Sequence, residues 1–225
     1  MGDKMVFLRN KPTIVGIHGF GLRKTKEFDK LKVSLEKQGY CFKSIDLYDL
    51  NDPSDTDWTS WVSKAKSLIN ESSFNNDVIL IGFSMGGVIA SYLANEYRVK
   101  KLVLIAPAFE FLNIKTVIDQ IPNFFFKSKS KLVKPPSNFT NAFMDVISNC
   151  KDSLTDIKIP TLIIHCENDE VISITSSQKN INKITNANKA LVTISDGQHR
   201  LLDDSIAGPI AISNIISFIK GDFLK

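Results

Sequence analysis

The sequence predicts an α/β protein with a mainly parallel central sheet of about six to seven strands and helices on both faces. Three observations lead there. Short apolar runs recur along the 225 residues, helical stripes alternate with them, and one glycine-rich turn joins a run to a stripe. The runs are residues 13–17, 40–47, 78–81, 102–105, 161–165 and 190–194. Rich in Val, Ile and Leu without clean alternation, they read as strands buried on both faces.

Taken from the N-terminus, there is room for one small strand at residues 5–8 ahead of the first clear run. Phe28, Leu31 and Leu35 then share a helical face, as do Trp58, Trp61, Val62, Ala65, Leu68 and Ile69. Val88, Ile89, Tyr92 and Leu93 follow the third run, and Ile212, Ile215, Ile216 and Ile219 close the chain. Such an alternation places ligands at the carboxyl ends of the strands, so the residues just after each run carry the chemistry. One stretch breaks the pattern. About fifty residues separate Pro107 from Ile159, where a crossover of a dozen or so is usual. Residues 108–152 are therefore read as a cap inserted within a single domain, 1–225.

Composition supports a globular chain, with 43% hydrophobic and 23% charged residues. Lys+Arg 28 against Asp+Glu 24 leaves +4, too mild for a nucleic-acid partner unless concentrated. The excess is in fact local. Between Phe111 and Asn138 stand five lysines and one aspartate, and seven of the 15 phenylalanines lie in the cap. Phe109, Phe111, Phe124, Phe125, Phe126 and Phe143 are candidates for an apolar substrate pocket, with Phe139 beside them and the lysines outside. A basic aromatic segment could also touch an anionic membrane surface, but a solvated cap face is the plainer reading. Stable membrane insertion is not expected, because Gly82, Gly86 and Gly87 with Ser84 and Ser91 interrupt the uncharged stretch 78–94. Cys41, Cys150 and Cys166 are far apart and lack metal-ligand spacing, which points to a reducing compartment. The first residues carry no apolar leader segment, and a cytoplasmic location is expected.

The run 78–81 leads into Gly82-Phe83-Ser84-Met85-Gly86-Gly87 and then a helical stripe. This is G-x-S-x-G at a strand-to-helix turn, where a serine hydroxyl stands clear of the sheet. Serine needs a base in hydrogen-bond reach and a third group to orient that base. Of the three histidines, His18 and His165 close apolar runs and read as structural, whereas His199 sits in a loop with no apolar reason for it. Asp169 is the preferred acid, lying after a strand and between serine and histidine in chain order. Glu167, Glu170 and Glu110 could serve by spacing alone. Two backbone N–H groups, from Phe20 and Met85, would receive the charge that develops on a carbonyl oxygen under attack. A serine hydrolase acting on a small-molecule carboxylic ester follows, with no metal or organic cofactor required.

These segments resemble the α/β-hydrolase family, and within it the small bacterial carboxylesterases and monoacylglycerol-lipase-like enzymes. The matching pieces are H-G-F-G at residues 18–21, G-F-S-M-G-G at 82–87, L-V-L-I-A-P at 102–107, N-D-E-V-I at 168–172 and G-Q-H at 197–199. The resemblance implies Ser84 as nucleophile, His199 as base, Asp169 as acid, and Phe20 and Met85 as oxyanion donors. Cys166 stands where the family often has glycine, and Gln198 precedes the histidine where glycine is commoner. Thioesterase or acyltransferase activity would use the same machinery, and a non-catalytic binding protein on this fold is the reading from a different class.

Overall fold

Along β3 (Val78–Phe83) successive side chains enter opposite cores: Val78 and Leu80 pack on one side of the sheet, Ile79, Ile81 and Phe83 on the other. That alternation is the pleat of a strand buried on both faces, which is why its sequence reads as an unbroken apolar run. The computed structural model describes residues 11–74, 76–110 and 137–222. In them β1 (Thr13–Ile17), β2 (Cys41–Ser44), β3, β4 (Val99–Ile105), β5 (Thr161–Cys166) and β6 (Lys189–Ile194) form one sheet in the order β2-β1-β3-β4-β5-β6. Every neighbouring pair is parallel. The possible strand at residues 5–8 lies outside the described residues.

The helices divide between the two faces as the crossovers demand. α1 (Asp29–Lys37) and α6 (Ala207–Lys220) bury Leu31, Leu35, Ala211, Ile215 and Phe218 on one face. On the other, α2 (Trp58–Ser73), α3 (Met85–Glu96) and α4 (Ser137–Cys150) pack with the larger core. A short α5 (Ile174–Asn180) follows β5. β1 and β3 are neighbours although the chain leaves them toward helices on opposite faces. They flank the topological switch point, where the loops at the strand ends open a crevice.

Local chemistry fixes the element ends. The Asp57 carboxylate accepts from the Thr59 N–H at 2.9 Å and caps α2. Gly221, at φ 90°, ends α6 in the left-handed conformation. β4 begins at Val99, three residues before the apolar run, and the Lys101 it carries donates from Nζ to the Phe218 and Ile219 carbonyls at 2.7 and 3.0 Å. The buried stripe of α6 is Ala211, Ile215, Phe218 and Ile219, with Ile212 and Ile216 only partly covered.

Of residues 108–152, 111–136 lie outside the described residues. α4 supplies Phe139, Phe143, Val146, Ile147 and Cys150 to the core at helical spacing. Phe139 stacks on Trp61 at 6.2 Å and Phe143 on Phe20 at 4.9 Å, so these two rings fasten α4 to α2 and to the loop after β1.

Candidate active site

Ser84 occupies the turn between β3 and α3 with φ 52° and ψ −117°, one of three non-glycine residues at positive φ among those described. Such a conformation costs on the order of 1–3 kcal/mol and persists only where its surroundings enforce it. Here they do. The Ser84 N–H donates to the Ile105 carbonyl at 2.9 Å, and its own carbonyl accepts from Gly87 and Ala108 at 3.0 and 3.2 Å. The turn is also tight against β1: a Cβ on Gly86 would run into the Ile17 carbonyl oxygen, so α3 can start there only with glycine.

His199 lies in the loop after β6 with its Nε2 3.1 Å from Ser84 Oγ and its Nδ1 2.8 Å from Asp169 Oδ2. Since a carboxylate only accepts, Nδ1 carries the hydrogen and Nε2 is left to accept from the serine hydroxyl. Asp169, in the loop after β5, has a fully buried side chain. Its Oδ1 accepts from the Val171 and Ile172 N–H groups at 2.8 and 2.7 Å, and its Oδ2 also meets His165 Nε2 at 3.0 Å. Burial pushes this carboxyl upward, but the neighbouring His199 and the hydrogen bonds from His165 and His199 outweigh it and hold Asp169 well below the usual carboxylate range. The two loops are tied to each other. Asn168 Nδ2 donates to the Ser195 carbonyl and the His199 N–H donates to Glu170 Oε2, both at 2.9 Å.

The other acidic residues considered from spacing go elsewhere. Glu110 meets Lys179 Nζ at 3.4 Å and Asn180 Nδ2 at 3.5 Å, Glu170 reaches the backbone of His199, and Glu167 is exposed.

The loop after β1 passes beside the serine. A Cβ on Gly19 would come within 3.1 Å of Ser84 Cβ, so Phe20 follows at the edge of the turn, while Met85 opens α3 directly after the serine. The loop is held from behind by two buried side chains. His18 Nδ1 donates to the Gly19 carbonyl at 2.7 Å and its Nε2 accepts from the Leu47 N–H at 2.9 Å. The Tyr48 hydroxyl accepts from the Gly21 N–H at 2.6 Å and donates to the Gly21 carbonyl at 2.9 Å. Tyr48 and its two bonds were not signalled by the sequence; a tyrosine just after a strand reads as ordinary core. Phe109 and Phe143 are buried, and Phe111, Phe124, Phe125 and Phe126 lie outside the described residues. Among the described residues no group of His, Cys, Asp and Glu is placed to hold a metal ion, and Cys41, Cys150 and Cys166 are unpaired.

With this geometry in view, the hydrolase family described as "Serine aminopeptidase, S33" matches residues 9–135 and 128–206, a stretch that includes Ser84, Asp169 and His199. The chain belongs to this α/β-hydrolase family. Solved structures similar to this hydrolase include one reported for the metagenome-derived lipolytic enzymes LipS and LipT. It is 16% identical, with 95% of this chain and 96% of that chain covered and a TM-score of 0.77. The monoacylglycerol lipase of Paleococcus ferrophilus is 15% identical, with 95% and 97% covered and a TM-score of 0.73. An esterase from Exiguobacterium antarcticum is 23% identical, with 95% and 93% covered and a TM-score of 0.68. At these identities the likeness is one of fold. No curated protein sequence matches the chain. No helix among the described residues of this hydrolase is long and apolar enough to cross a membrane.

Proposed function

We propose that this hydrolase cleaves carboxylic esters through an acyl-enzyme on Ser84. The observation that carries the reading is the continuous line of contacts Ser84 Oγ–His199 Nε2 at 3.1 Å and His199 Nδ1–Asp169 Oδ2 at 2.8 Å, set at the carboxyl ends of a parallel sheet. As Ser84 Oγ attacks the ester carbonyl, its proton passes to His199 Nε2, and the buried Asp169 carboxylate stabilises the imidazolium. The N–H groups of Phe20 and Met85 receive the oxyanion, the latter aided by the dipole at the start of α3. The C–O bond to the alcohol then breaks as His199 returns the proton to the leaving oxygen. Water, deprotonated by the same nitrogen, attacks the acyl carbon, and the bond to Ser84 Oγ breaks as His199 returns that proton to Oγ, releasing the acid. No step calls for a metal or organic cofactor.

The substrate is an ester with a small hydrophobic acyl group, acylglycerols included. The reported names of similar structures, lipases and esterases, support the leaving group; the Phe-rich segment 108–152 supports the apolar acyl group, with Phe109, Phe111, Phe124, Phe125, Phe126 and Phe143 as its pocket beneath a cap. Unpaired Cys41, Cys150 and Cys166 support a reducing, cytoplasmic setting. The test is a panel of esters of increasing acyl length, with matched thioesters and aminoacyl anilides, on wild type and His199→Ala. Esters turn over fastest, and His199→Ala loses on the order of 10⁵- to 10⁶-fold in kcat with unchanged circular dichroism. Faster cleavage of the aminoacyl anilides than of any ester would replace this reading with the peptidase one that the family's description names.

A further inference from the structure

The penultimate residue of β5 is a histidine that the reaction scheme does not use. His165 is fully buried, its Nδ1 2.6 Å from Ser177 Oγ, its Nε2 3.0 Å from Asp169 Oδ2 and 2.9 Å from the Ile172 carbonyl oxygen. A carboxylate and a carbonyl both only accept, so Nε2 carries the hydrogen and shares it between them. Nδ1 is then the acceptor, and the Ser177 hydroxyl donates to it. Ser177 is itself fully buried on α5, and its hydroxyl supplies the hydrogen bond that this tautomer leaves Nδ1 to accept.

We propose that His165, hydrogen-bonded to Ser177, is a positioning residue that braces Asp169 at the oxygen it shares with His199 and limits how strongly that carboxylate pulls on the His199 ring. The proposal rests on the assignment of Ser84, His199 and Asp169 above. Asp169 Oδ2 lies between two imidazoles and Oδ1 between two backbone N–H groups, so four donors converge on a side chain with no access to water. Remove one, and the anion is left less satisfied and turns more of its charge toward the remaining imidazole. The proton on His199 is then held more tightly. The brace also fixes direction. Backbone N–H groups of the acid's own loop hold Oδ1, whereas Oδ2 is anchored to the sheet only through His165, whose residue pairs with Thr193 of β6.

Other charged or titratable groups face this region. Glu170 takes the His199 backbone N–H. Glu27, in the 3-10 turn Lys24–Phe28, lies with its Oε1 3.9 Å from Arg200 Nε. Burial raises the Glu27 carboxyl, opposed by Arg200, Arg23 and His199. The Cys166 thiol, pushed up to about 12 by burial and by Asp169, stays protonated. None of these donates to Asp169 Oδ2, which sets His165 apart.

The experiment follows the His199 ring by NMR across pH, without substrate, in wild type, His165→Leu, His165→Gln and Ser177→Ala, and measures kcat and KM for an ester in each. In His165→Leu the His199 ring titrates about half to one pH unit higher, the acid limb of kcat/KM moves with it, and kcat falls on the order of 10- to 100-fold with KM nearly constant. His165→Gln, which returns an N–H donor, recovers most of the loss. Ser177→Ala shifts the same quantities in the same direction by less, and it keeps the proposal open to refutation should His165→Leu fail to fold. Titration of His199 at the wild-type pH in Ser177→Ala, and in His165→Leu where it folds, would overturn the brace. A shifted His199 titration in a wild-type background that hydrolyses no ester would instead leave the brace standing and overturn the assignment of the reaction.

Discussion

His18 and His165 occupy equivalent places in the fold, at the carboxyl ends of buried parallel strands on the side of the sheet where Ser84 lies, and both are shut off from water. Their partners differ. His18 bonds only to backbone, the Gly19 carbonyl and the Leu47 N–H, and burial lowers its pKa to about 4, so it is a neutral strut that shapes the loop after β1. His165 bonds to a side-chain hydroxyl and to the carboxylate that orients His199. Burial alone therefore does not distinguish the two histidines. The nature of the group each nitrogen meets does.

Asp169 makes the two histidines unequal. In Asp169→Asn the Oδ2 acceptor shared by His165 and His199 becomes an amide, the His199 tautomer is no longer imposed, and ester kcat falls on the order of 10⁴-fold while circular dichroism stays native. Retention of activity there would make His165 as purely structural as His18.

A smaller effect sharpens the other side. His18 titrates near pH 4 in the folded protein against an ordinary value of 6.5, so between those values the unfolded chain binds the extra proton. Its contribution to stability is complete above pH 6.5 and is lost as the pH falls toward 4, a loss on the order of 3 kcal/mol. Urea unfolding of wild type and His18→Gln at pH 7, 5.5 and 4 measures it: the difference between the two proteins shrinks across that window, and the acid limb of ester hydrolysis does not move. A displaced limb in His18→Gln would give this residue the role assigned to His165.

Much of this was legible in the residues themselves. A parallel strand with two buried faces must be apolar throughout, so residues 13–17, 78–81, 102–105 and 161–165 stand out as strands, and G-x-S-x-G between a strand and a helix has few other uses. Asp169 and His199 follow from position, being polar residues at strand ends in the right order. The difference between His18 and His165 was not legible, because each follows an apolar run and nothing local says what its ring meets. A signal was present: His165 stands four residues before the acid, close enough for the loop to fold back on it. The tail of the inserted segment was equally open to reading. Phe139, Phe143, Val146, Ile147 and Cys150 form a helical stripe, and Phe139 and Phe143 pack on Trp61 and Phe20. Boundaries slipped where a charged residue has a private partner, as Lys101 does at the end of α6.

The proposed reaction makes Ser84 Oγ a nucleophile activated by His199. Intact mass after treatment with a fluorophosphonate tests it most directly, since Oγ displaces fluoride from phosphorus and the adduct remains on the protein. One adduct is expected on wild type and none on Ser84→Ala under the same conditions. Well-folded wild type that takes up no adduct, or Ser84→Ala that labels as fast as wild type, would contradict it.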